Sequence, residues 1–105
     1  SERYATVFNS MKKTAAADSD NIQAVWVGDI DANVLTQSDG YTSGSDFEIT
    51  ERAWYKAVEE EKTILTDAYV DASTGNVILS AATPVYDQSG QNIIGVAGVD
   101  VALDQ

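Results

Sequence analysis

Three short runs carry the recognition chemistry of this chain: Arg52-Ala-Trp54-Tyr55, Tyr69-Val-Asp71 and Gly95-Val-Ala-Gly98-Val-Asp100. A guanidinium grips a carboxylate with two parallel bonds, and an indole N–H adds a third donor. Phenol and carboxylate oxygens accept from an ammonium. Together these are the donors and acceptors of a zwitterion site. The chain has no His and no Cys, which removes thiolate nucleophiles, zinc–thiolate sites and disulfides. No nucleophile–base pair or metal-ligand cluster stands out in the sequence, so the reading is recognition rather than catalysis, with no cofactor and no metal expected.

Each of these residues also has a plainer reading. Arg52 lies four residues after Glu48, the spacing of an exposed helical ion pair. Trp54 and Tyr55 are core or interface residues as readily as a ligand wall, and Trp26 reads as core. Along Thr63 to Asp71, a period of two places Leu65, Asp67, Tyr69 and Asp71 on one face and Ile64, Thr66, Ala68 and Val70 on the other. The first face is a polar pocket wall or a solvated face ending in a turn aspartate. Asp100 is a ligand acceptor or a strand end.

Two further patterns fall away. Asp29-x-Asp31-x-Asn33 opens like a calcium loop, but its sixth position is Val34 and its twelfth Gly40, so it reads as a turn. Glu59, Glu60 and Glu61 point at successive angles around a helix and cannot converge on one substrate.

The elements that must hold the three runs follow from periodicity. Tyr4, Val7, Phe8, Met11 and Ala15 form a one-faced helical stripe. Ile22 to Ile30 reads as a strand with Val25 and Val27 on one face and Trp26 on the other, and Val34 to Thr36 as a second strand after the turn at 29–33. Residues 37–45 are a loop. Thr50 caps a helix expected from Glu51 to about Lys62. Strands follow at Thr63 to Val70, Asn76 to Tyr86 and Gln91 to Ala102, joined by turns short enough to force antiparallel hairpins. The expected fold is α+β, a five-stranded antiparallel sheet with the N-terminal helix and a second short helix packed on it.

Composition narrows the partners. The 105 residues make one domain, and 44% apolar with 22% charged residues is a globular balance. Seventeen acidic against six basic residues give a net charge of -11, which repels nucleic acid and anionic lipid. No run approaches the ~18 apolar residues of a membrane span, and no signal-peptide pattern starts the chain.

Taken in order, Arg52-x-Trp54-Tyr55, Tyr69-x-Asp71, Thr74-Gly75, Pro84-Val-Tyr86-Asp87 and Ile94-Gly95-Val-Ala-Gly98-Val-Asp100 resemble a Cache domain. These are PAS-like extracytoplasmic sensor modules of chemoreceptors, histidine kinases and diguanylate cyclases. The second half alone resembles the membrane-distal module of a double Cache domain, with a free-standing single Cache module as the alternative. The resemblance implies a ligand-binding sensor, a piece of a membrane-anchored receptor whose ligand site lies outside the cytoplasm; separately, the stripe from Tyr4 to Met11 offers a surface for a homodimer through the N-terminal helix.

Within the family, the pattern is similar to that of amino-acid binders. That resemblance assigns Arg52 and Trp54 to the ligand carboxylate, Tyr55 to the pocket wall, and Tyr69, Asp71 and Asp100 to the ammonium. Phe47 stands where such binders carry tyrosine, which keeps the ring and loses a hydroxyl. The competing reading is a structural or dimerisation module with a degenerate pocket.

Overall fold

The computed structural model describes residues 22–71 and 74–103. The helical stripe from Tyr4 to Ala15, and the dimer contact expected of it, lie outside the described residues.

Strands β1 (Ile22–Asp29) and β2 (Val34–Gln37) form a hairpin, and β5 (Val77–Tyr86) and β6 (Ile93–Ala102) form a longer one. Between the hairpins in sequence come two two-residue strands, β3 (Ile64–Leu65) and β4 (Tyr69–Val70). All pairings are antiparallel, in the order β2-β1-β6-β5-β3, with β4 also paired to β5. β6 therefore sits centrally although it comes last.

Among the described residues the segment expected as one strand at 63–70 is two, so six strands are seen there. Ile64 faces Ala82 and Tyr69 faces Ile78 across the ladder. Five residues on the edge thus span four on β5, and the extra residue is a bulge-like insertion. It reverses the alternation downstream. Ile64 and Tyr69 consequently share a face, packed against the same core, while Leu65 and Val70 point outward at 67% and 60% exposure. The expectation that Leu65 and Tyr69 share a face is corrected by this register change.

The helix expected from Glu51 to Lys62 is also broken. It consists of 3₁₀ turns at Ile49–Glu51 and Ala53–Tyr55 and one α-helical turn, α1 (Lys56–Glu59). Arg52 stands between the two 3₁₀ turns in extended backbone (φ -79, ψ 147), and Thr50 caps nothing. Ile49, Trp54 and Ala57 are buried on this segment, and packing them onto the sheet overrides helical continuity.

The two sheet faces have separate cores. On one, Trp26, Leu35, Ala82 and Val96 meet Ile49, Trp54 and Ala57. On the other lie Val27, Val85 and Ala97 with Ile94 beside them. Close approach on the first face depends on two glycines. A Cβ on Gly98 would lie 2.2 Å from the Trp26 ring, and one on Gly28 would lie 2.9 Å from Ile49 Cδ1. Without side chains there, the Trp26 indole lies flat across β6.

Candidate functional site

On the Trp26 face the core opens into a small cavity, part of it open to solvent. Its walls come from six places in the chain: Trp26 on β1, Leu35 and Gln37 on β2, Tyr41 from the 38–45 loop, Phe47, Arg52 and Trp54 at and just before the broken helix, Tyr69 and Asp71 at the β4 segment, and Asp100 on β6. Asn33 holds the roof. In the left-handed conformation (φ 55), it donates from Nδ2 to Phe47 O at 2.8 Å and accepts at Oδ1 from Ile49 N at 2.9 Å.

Six of the seven residues singled out in the sequence line this cavity: Phe47, Arg52, Trp54, Tyr69, Asp71 and Asp100. Tyr55 does not. It is half-buried and packs against the same core cluster. Arg52 and Tyr69 also line a wider groove between α1 and the β3–β4 edge, so the two openings meet at this pair.

Aromatic rings order the basic side. Trp26 and Trp54 pack with ring centroids 4.4 Å apart, and Phe47 lies 6.5 Å from Trp54. The Arg52 guanidinium carbon sits 5.7 Å from the Phe47 ring centroid, a cation–π arrangement. The exposed pair with Glu48 does not form, because the helix does not run through Arg52. Among the described residues Arg52 makes no ion pair, and Trp54 Nε1 has no acceptor.

The acidic side is built from hydrogen bonds. Asp71 is 7% exposed. Its Oδ2 accepts from Gln23 Nε2 at 3.1 Å and Thr74 Oγ1 at 2.9 Å. Its main chain closes the hairpin turn, with Asp71 N donating to Asn76 O and Asp71 O accepting from Gly75 N. Asp71 is thus a turn aspartate and a cavity wall at once.

Asp100 lies within β6, not at a strand end, and is 3% exposed. Its Oδ1 accepts from Trp26 Nε1 at 2.7 Å and from Ser80 Oγ at 2.6 Å. Burial pushes the Asp100 carboxyl above its usual value of 3.8, while these two donors oppose the rise. Tyr69 OH hydrogen-bonds Ser80 Oγ. Burial, reinforced by the charges of Asp100 and Asp71 and opposed by Ser80 and Arg52, pushes the phenol up to about 12.

Several participants were not singled out from the sequence, among them Trp26, which was read as core and also lines the cavity. Gln37, placed in a loop, is the last residue of β2 and pairs with Trp26; alternation from Leu35 would have put it on the cavity face. Ser80 is fully buried opposite Asp100, and a serine alternating with Ile78 and Ala82 was the available signal. Gln23 and Tyr41 carried no pattern that marks them.

The comparisons with known proteins point one way. The methyl-accepting chemotaxis protein PscA of Pseudomonas syringae pv. tomato is 36% identical over 87 residues, which is 82% of this chain and 13% of the receptor. The chain therefore spans a small part of that relative. Among solved structures, the ligand binding domain of Mlp24 with asparagine superposes with a TM-score of 0.70 at 27% identity, covering 94% of this chain and 48% of the other. The ligand binding domain of the Pseudomonas aeruginosa PAO1 amino acid chemoreceptor PCTC in complex with GABA gives a TM-score of 0.70 at 32% identity, covering 83% and 40%. With residues 5–105 matching the corresponding family model, this chain belongs to the methyl-accepting chemotaxis protein-like first PDC sensor domains, Cache-type modules as its motifs indicated.

Proposed function

We propose that this chain is the ligand-binding sensor domain of a chemotaxis receptor and that it takes an amino acid or similar small zwitterion in the Trp26-face cavity. One observation carries the reading. A guanidinium and two buried carboxylates line the same cavity, and among the described residues Arg52 is ion-paired to neither. A guanidinium without an ion pair in a half-buried cavity is costly unless a ligand brings the opposite charge. The solved relatives with asparagine and GABA, both carrying a carboxylate and an amine, support it.

In this reading Arg52 and the indole N–H of Trp54 hold the ligand carboxylate, and Phe47 steadies the guanidinium with its ring face instead of supplying a hydroxyl. Tyr69, Asp71 and Asp100 receive the ammonium, and Tyr55 backs the wall without touching the ligand. The groove that meets the cavity at Arg52 and Tyr69 gives the ligand side chain a way out. The parent protein is a membrane-anchored receptor with this module on the extracytoplasmic side. Signalling follows when two receptor states bind the ligand unequally.

The test is a thermal-shift screen of the protein amino acids with common carboxylates and amines. A ligand at about a hundred times its dissociation constant stabilises the fold by ~2.7 kcal/mol, a shift on the order of ten degrees for a domain of this size. Arg52→Ala and Asp71→Ala should each weaken binding by ~1.5–3 kcal/mol. No shift with any compound would replace the sensor reading with a structural module.

A further inference from the structure

Ser80 has one proton and two partners. Its Oγ lies 2.6 Å from Asp100 Oδ1 and also bonds Tyr69 OH. Trp26 Nε1 is a donor only and occupies the same Oδ1. Two donors converging on one oxygen favour the carboxylate, so Ser80 gives its proton to Asp100. Ser80 Oγ must then accept from Tyr69, whose phenol stays protonated up to about pH 12. The proton order is Tyr69 to Ser80 to Asp100.

This order decides what Tyr69 presents to the cavity. With its only proton turned inward, the phenol oxygen offers lone pairs alone. Neither bond to Asp100 among the described residues uses Oδ2, which remains an acceptor. Asp71 contributes carboxylate oxygens beside them. We propose that Ser80 is a positioning residue that makes this end of the cavity acceptor-only, and so selects an ammonium over a ligand group that itself only accepts, such as a ketone. The proposal rests on the amino-acid reading above and adds to it the residue that sets selectivity at the amine.

The substitution Ser80→Ala leaves the Trp26–Asp100 bond in place and frees the Tyr69 proton to point into the cavity. A freed O–H can donate to a carbonyl as well as accept from an ammonium. The experiment is titration calorimetry of the parent, Ser80→Ala and Ser80→Thr with the protein amino acids and their α-keto acids. The preference for amino over keto acid should narrow by about tenfold in Ser80→Ala, the equivalent of one hydrogen bond. It should survive in Ser80→Thr, which keeps the hydroxyl.

A loss of affinity for both ligands by the same factor would mean that Ser80 only packs, and overturns the proposal. Tyr69→Phe is the second variant should Ser80→Ala fail to fold: removing the phenol oxygen should narrow the same preference, and an unchanged preference overturns the idea. If the parent binds no amino acid, both this proposal and the sensor reading fall. If it binds one and Ser80→Ala keeps the parent's preference, only the role of Ser80 falls.

Discussion

The two faces of the sheet are made by alternate residues of the same strands, yet they are built to different rules. On β1, β5 and β6, Val27, Val85 and Ala97 point one way and bury aliphatic surface among themselves. Trp26, Ser80, Gly98 and Asp100 point the other way. The four buried polar residues among those described, Gln37, Asp71, Ser80 and Asp100, line the cavity on that side or bond directly to a residue that does. An aliphatic face stabilises through burial alone, roughly in proportion to area. The cavity face gives up part of that gain to desolvate carboxylates, and recovers some through matched donors. In the proposed reading, that difference separates the binding face from the purely structural one.

The sharpest way to break the contrast is Gly98→Ala. A Cβ 2.2 Å from the Trp26 ring forces the indole off β6 and away from Asp100. Overpacking of this kind should cost about 3 kcal/mol, read by denaturant unfolding, and ligand stabilisation should vanish with it. Full ligand binding in this variant would show that Trp26 does not organise the cavity.

Asp100→Asn separates stability from binding on the same face. The amide oxygen still accepts from Trp26 and Ser80, and the buried charge, whose carboxyl burial holds above its usual value, is gone. Stability at neutral pH should hold or rise while amino-acid affinity falls by ~1.5–3 kcal/mol. Equal affinity for parent and variant in calorimetry would remove Asp100 from the ammonium site.

Val27→Ala probes the other face. It deletes buried methyl groups and should lower stability by ~1–2 kcal/mol, with ligand affinity unchanged once folding is accounted for. A matching loss of affinity would mean that the two faces are coupled through the sheet.

The smallest effect is at alkaline pH. Tyr69 ionises from 10.0 in the unfolded chain and at about 12 when folded. Between these values the unfolded state sheds its proton first, so stability contributed by Tyr69 is intact below pH 10 and lost as pH rises towards 12. Phenolate absorbance of the parent minus that of Tyr69→Phe should show this midpoint. One near 10 would place Tyr69 in solvent and outside the network.

Two aspartates at hairpin turns show how far local chemistry reads. Asp87 holds Ser89 and Asn92 much as Asp71 holds Thr74 and closes on Asn76, and the Ser89 and Asn92 bonds draw the exposed Asp87 carboxyl down to about 2. As turns the two are alike in sequence. One lies in solvent and the other in a cavity, because only the end of β4 runs beside Tyr69, Asp100 and the broken helix.

The sequence by itself determined the strands with clean alternation, the antiparallel hairpins, the opposite facing of Val25 and Trp26, the acidic surface and the donor and acceptor types of the site. These are local properties, set by periodicity and turn chemistry over a few residues. Tertiary structure alone decided that the segment 63–70 bulges and turns Tyr69 towards Ile64, and that Arg52 interrupts a helix to enter the cavity. It also set Ser80 opposite Asp100 and kept Tyr55 off the cavity wall. Each of those depends on cross-strand register or on large rings packed from distant parts of the chain, and neither has a signature within a short window of sequence.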